Sequence, residues 1–187
     1  MFMTLFSGSA ETPDDAVCIA QWTRADGHAP SGKVTMSDTV GGDVSFVLTS
    51  TAQTGKQLLG CFPLQLETGD ALFRIDEVTF PVGAVAHRHT HAGPGVRHLV
   101  LGALRLEADG HEHMVREGDT WFEAAHSPVR AVSLNETGVS AFVRCMVIPA
   151  AFAGKSTFAL CDPADSELPR LQTTHRYIDH KIYVDAG

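Results

Sequence analysis

The sequence predicts an all-β protein with a closed or layered sheet architecture. Apolar and β-branched runs recur at short spacing, Gly, Pro, Asn and Asp clusters separate them, and no helical period survives beyond about ten residues. The runs in chain order are Val17–Trp22, Val44–Leu48, Gln57–Leu66, Leu72–Phe80, Arg97–Leu106 and Ala141–Ile148. Leu104–Ala108 and His111–Val115 flank Asp109-Gly110, the dipeptide that supplies the two positive-φ positions of a type I′ turn, so they form a hairpin. Thr12-Pro13 and Asp162-Pro163 each pair a capping residue with a proline suited to a first helical position, and each opens at most one turn. The expected organisation is a β extension over residues 1–70, a barrel core over 71–150, and an arm over 151–187 lying on the barrel or on a partner subunit. Leu99, Leu101 and Phe142, or their face neighbours, are expected to share one continuous core.

Composition narrows the function. The 187 residues are 44% hydrophobic and 19% charged, which is ordinary for a globular chain and excludes a disordered one. Twenty-two acids against fourteen bases give a formal charge of −8, unsuited to a phosphate-tracking nucleic-acid binder or a polybasic membrane-surface protein. No apolar run approaches the ~18 residues that span a bilayer. Met1–Ala10 lacks the basic start and long apolar core of a signal peptide. Cys18, Cys61, Cys145 and Cys161 are scattered, with no C-x-x-C pair. The expectation is a cytoplasmic protein with four free thiols.

Histidine is the unusual residue. Seven of the ten histidines fall between His87 and His126. In His87-Arg-His89-Thr-His91, an extended strand places His87, His89 and His91 on one face. Imidazoles so placed suit metal binding or proton handling. His98 sits beside Val100 as a core or supporting histidine, and His111 and His113 belong to an exposed hairpin tip. His28, His175 and His180 have no partners at metal spacing. There is no G-x-S-x-G elbow, phosphate-binding loop or H-E-x-x-H motif.

The spacing Gly83, five residues, His89-Thr-His91, three residues, Gly95, six residues, Gly102 resembles the first motif of the cupin superfamily, with Gly95 in the place of its glutamate. Gly118-Asp119-Thr-Trp-Phe-Glu123 resembles the opening of the second motif, after which Ala124, His126, Val129 and Ser133 replace its proline, glycine, histidine and asparagine. The resemblance covers residues 70–150. It implies a double-stranded β-helix, or jelly-roll barrel, with His89 and His91 facing inward, and it implies one divalent metal ion: Fe, Mn, Zn or Ni. It also implies a homodimer, which the extended tail would suit.

Two further residues are candidates for the missing donors. Glu123 shares a strand face with Trp121 and would complete a two-histidine, one-carboxylate set; otherwise it is a structural acid paired with Arg97 or Arg130. His126 replaces the lost histidine if its turn is shortened; otherwise it is a loop histidine at the barrel mouth. The candidate metal set is therefore His89, His91, Glu123 and His126, with His87 at the rim. The expected function is a metal-dependent enzyme of the dioxygenase type acting on a small organic molecule inside the barrel. The alternative is a non-catalytic binding or sensor cupin that has lost part of its metal site.

Overall fold

The fold is described from a computed structural model, which places residues 1–25, 32–108 and 110–185. His28 and Asp109, both named above, lie outside the described residues.

Among the described residues, fifteen strands form three antiparallel five-stranded sheets. The first takes β1 (Phe2–Ser7), β2 (Ala16–Arg24), β3 (Gly32–Met36), β4 (Val44–Thr49) and β5 (Leu58–Pro63), in the order β3-β2-β4-β1-β5. The next eight strands divide between two sheets, changing sheet at every step except the β9–β10 hairpin: β6 (Gly69–Pro81), β7 (Val85–Thr90), β8 (Gly95–Leu101), β9 (Ala103–Ala108), β10 (His111–Arg116), β11 (Thr120–Glu123), β12 (Val129–Ser133) and β13 (Val139–Pro149). One sheet runs β11-β8-β13-β6 and the other β10-β9-β12-β7. Each is extended at one edge by a late strand: β15 (Thr173–Val184) beside β6, and β14 (Ala159–Leu160) beside β7. That interleaving is the topology of a jelly roll.

Period-two alternation in the middle sheet explains how three layers share two cores. Phe73 and Ile75 of β6, Val143, Cys145 and Val147 of β13, and Val96 and Val100 of β8 pack against Met3, Leu5, Ala20, Trp22, Phe46 and Leu48 of the first sheet. The intervening residues Arg74, Asp76, Val78, Phe80, Phe142 and Arg144 face the barrel interior. Covering both faces makes β6 and β13 almost continuously buried, which is why they read as unbroken apolar runs interrupted by charge.

Several expectations need correction. The run Arg97–Leu106 is two strands, broken at Gly102, whose φ of +78° turns the chain. Leu99 and Phe142 do share the barrel core with Phe80, but Leu101 packs on the first-sheet side, because the β13–β8 register slips between Ala141 and Phe142. Within the arm over residues 151–187, Thr173–Val184 is a strand paired along nearly all of β6; its charged, half-exposed sequence gave no apolar signal. Asp162 does cap a short 3-10 turn over Pro163–Glu167, accepting from the Ala164 amide at 2.9 Å. The four cysteines carry no disulfide, and burial holds the Cys18 thiol up at about 12. No helix among the described residues is long and apolar enough to cross a membrane.

Candidate functional site

The barrel encloses a cavity of about 210 Å³ between its two sheets. Its floor is built from β7. Here the strict alternation expected from the sequence fails, because the β7–β12 register slips between Ala86 and His89. The bulge puts both Ala86 and His89 on the inner face and turns His87 outward, where its Nε2 lies 3.3 Å from the Pro169 carbonyl. His89 and His91 are buried and line the cavity, with their Nε2 atoms 3.2 Å apart.

The outer nitrogens are fixed by neighbours. His89 Nδ1 is 2.8 Å from the His87 carbonyl, which can only accept, so Nδ1 carries the proton and Nε2 presents a lone pair. His91 Nδ1 meets Thr157 Oγ1 at 3.1 Å. His91 Nε2 stands 3.2 Å from Arg144 Nη1, and a guanidinium can only donate. His91 therefore accepts from Arg144 and donates to Thr157, which leaves the His89 lone pair without a donor from His91.

Glu123 also faces the cavity, with Phe122 turned away to stack on Phe62 at 5.8 Å, as the alternation requires. Its carboxylate is held from two sides. Trp121 Nε1 donates to Oε1 at 2.9 Å, and Arg97 Nη2 stands 2.7 Å from Oε2. Arg130 pairs with Glu107 instead. His126 is elsewhere. It is exposed, holds a φ of +60°, and lines a separate surface groove with Ala92, Gly93 and Val147; only its backbone amide reaches His91, donating to the carbonyl at 2.9 Å. His98 is buried against Thr120, while His111 and His113 are exposed on β10.

Gly95 has a steric reason. A Cβ there would lie 2.6 Å from the Cys145 carbonyl and 2.6 Å from Met146 Cγ, so the close approach of β8 to β13 leaves no room for a glutamate side chain.

The sequence reading missed most of the charge in this cavity. Arg74, Arg97, Arg144, Arg170 and Arg176 line it, against the carboxylates Asp76 and Glu123. Arg144 is paired to Asp76, and Arg74 donates to Asp179 at 2.9 Å and to the carbonyls of Phe152 and Lys155. Burial pulls Arg97 down to about 10, still charged at neutral pH. Phe158, from the arm, stacks on His89 with ring centroids 4.1 Å apart, and the Arg170 guanidinium lies over the Phe158 ring, 4.1 Å from its centroid. Arginines inside the otherwise apolar strands β6, β8 and β13 were the available signal, since such charges are buried only with partners or a task.

These contents do not fit a divalent metal ion. Among the described residues no group of three His, Cys, Asp or Glu side chains is placed to hold one. Among the described residues the two imidazoles have no third donor, the Glu123 carboxylate accepts from Trp121 and is ion-paired with Arg97, and a guanidinium already stands on His91 Nε2. Two unit charges ~4 Å apart repel by about 4 kcal/mol at an effective dielectric of ~20, and a divalent ion doubles that.

No family model and no curated protein matches the sequence. Among solved structures the chain is similar to an RmlC-like cupin from Shewanella frigidimarina NCIMB 400, at 18% identity over 46% of this chain and 83% of that one, with a TM-score of 0.36. It is similar to KdgF from Halomonas sp., at 24% identity over 44% and 74%, with a TM-score of 0.34. AerE from Microcystis aeruginosa is similar over 79% of this chain and 87% of that one, at 8% identity and a TM-score of 0.49. The deciding observation is internal: eight strands in jelly-roll order, with the H-x-H pair on the second of them turned into the barrel. The chain has a cupin-like jelly-roll fold.

Charge makes the barrel interior sensitive to acid. Burial first, and then Arg144 and Arg97, hold His91 far below the ordinary histidine range; burial likewise brings His89 to about 4. Because both folded values lie below the ~6.5 of an unfolded histidine, the unfolded chain takes up more protons as pH falls. Stability is therefore full above pH ~6.5 and declines toward about 4, by up to ~1.4 kcal/mol per pH unit for each histidine. Glu77, raised by burial, works in the opposite direction, whereas the lowered carboxylates Asp15 and Asp179 act below this window. Urea midpoints should fall between pH 7 and pH 5, and His89→Phe should flatten the slope. A flat wild-type profile would show that the imidazoles are hydrated.

Proposed function

We propose that this cupin binds a small organic anion in its barrel and does so without a resident metal ion. The observation that carries the reading is the Arg144 guanidinium at His91 Nε2, 3.2 Å away. It puts a fixed positive charge where the inward histidine pair would otherwise receive a cation. With Arg97 buried nearby and three further arginines in the lining, the interior has an excess of positive charge that an anionic ligand would offset. The cavity is smaller than the ~300–1,000 Å³ typical of pockets for drug-sized ligands, so its occupant is small. This is the binding-module alternative of the sequence reading, and the arm residues Thr157 and Phe158 help to close the site over His89 and His91.

The dioxygenase-type reading has one observation in its favour. Two imidazole Nε2 atoms 3.2 Å apart, with a carbonyl orienting one ring from behind, are arranged as neighbouring metal ligands usually are. It lacks a third donor.

A thermal-shift series in the presence of EDTA tests the anion reading. Small carboxylates at millimolar concentration should raise the Tm, and their amides should not. Equal response to acids and amides, or no response to either, would contradict it.

A further inference from the structure

We propose that the ligand is a single-ring hydroxy acid, with its carboxylate on Arg97, its hydroxyl on His89 and its ring against the aromatic wall of the barrel. This rests on the anion-binding reading and deepens it.

Three sets of atoms in the cavity each ask for a different part of such a molecule. The first is Arg97. Its side chain is 1% exposed, and Nη1 donates to the Gly95 carbonyl at 2.6 Å. Nη2 lies close to Glu123 Oε2, but off the N–H direction, so that buried nitrogen makes no hydrogen bond. A buried guanidinium N–H without an acceptor is costly, and a carboxylate oxygen is the acceptor that suits it best. Glu123 does not forbid this: its charge is matched by Arg97 and that of Asp76 by Arg144, while Arg74, Arg170 and Arg176 add three guanidinium groups to the lining and Asp179 alone pairs with two of them.

The second is the His89 Nε2 lone pair. The His87 carbonyl fixes the proton on the far nitrogen, and Arg144 takes the acceptor site of His91. His89 therefore needs a donor from within the cavity. A hydroxyl group supplies one, and a carboxylate alone does not.

The third is the aromatic wall on the sheet that also carries Arg97 and that lies across the cavity from His89. Phe80, Phe142 and Trp121 form a continuous aromatic surface, with Phe142 5.9 Å from Phe80 and 5.3 Å edge-on from Trp121. Val78 and Leu106 continue it. A ring edge or face packs on such a surface with gains beyond area alone. About 210 Å³ leaves room for one ring, not two.

Isothermal titration of the EDTA-treated chain with three probes tests the assignment: mandelate, phenylacetate, which lacks the hydroxyl, and 1-phenylethane-1,2-diol, which lacks the acid. Mandelate is expected to bind tightest. Losing the hydroxyl should weaken binding roughly five- to ten-fold, and losing the acid roughly ten- to hundred-fold. In His89→Phe, which keeps a ring against Phe158, mandelate and phenylacetate should bind alike. Equal binding of mandelate and phenylacetate to the wild type, or a mandelate preference that survives in His89→Phe, overturns the hydroxy-acid assignment while leaving the anion reading standing. If small carboxylates raise the Tm but neither aryl acid binds, the assignment also fails alone. If no carboxylate of any kind acts on the protein, both readings fail together.

Discussion

Arg144→Met is expected to destabilise the protein by about 3–5 kcal/mol, because it strips the partner from Asp76 in the barrel interior. Asp76 is 2% exposed and Arg144 8% exposed, so neither charge has water to fall back on. The two side chains are joined by a pair of contacts, one to each carboxylate oxygen, across the adjacent strands β6 and β13. Asp76→Asn in the same background should restore most of the loss, since a neutral amide leaves no buried charge behind. Urea denaturation of the wild type, the single variant and the double variant measures both terms. A single-variant loss under about 1 kcal/mol would mean that water reaches Asp76 and that the interior is far more polar than its packing indicates.

Phe73→Ala is expected to cost a similar ~3–5 kcal/mol. Phe73 is fully buried between the first sheet and the barrel, among Met3, Phe46 and Val147, so its removal leaves a cavity at the seam of two layers. The same seam predicts that the layers unfold together. Trp22 lies in the first sheet and Trp121 in the barrel, and the chain has no other tryptophan. Single-tryptophan variants Trp22→Phe and Trp121→Phe should therefore report one urea midpoint. Two separated transitions would show that residues 2–63 fold independently, and Phe73→Ala would then weaken only one of them.

The barrel was legible because its strands obey local rules: Gly83 and Gly102 sit at positive φ where the turns need them, and His89 and His91 follow at fixed spacing on an inward strand. What was not legible depended on register and distance. Whether His87 shares a face with His89 turns on one bulge in β7, and a slip of one residue sends a side chain to the other face. Glu123 had two open readings in the sequence, ligand or ion-pair partner, and its neighbour Arg97 decides between them only through the β11–β8 pairing of Trp121 with Arg97. Arg144 comes to His91 from 53 residues along the chain and Phe158 comes to His89 from the arm, so no local pattern announces them. The last strand of the arm pairs through its backbone while half of its residues remain exposed, and hydropathy alone does not find such a strand.

The most direct test of a cationic, metal-free barrel is elemental analysis of the purified chain after equilibration with Fe(II), Mn(II), Ni(II) or Zn(II) and removal of free ion by gel filtration. Arg144 at His91 Nε2 and the absence of a third placed donor among the described residues predict far less than one metal per chain for every ion. One tightly held ion per chain, lost in His89→Ala and in His91→Ala, would contradict the account and return Glu123 to the role of third ligand.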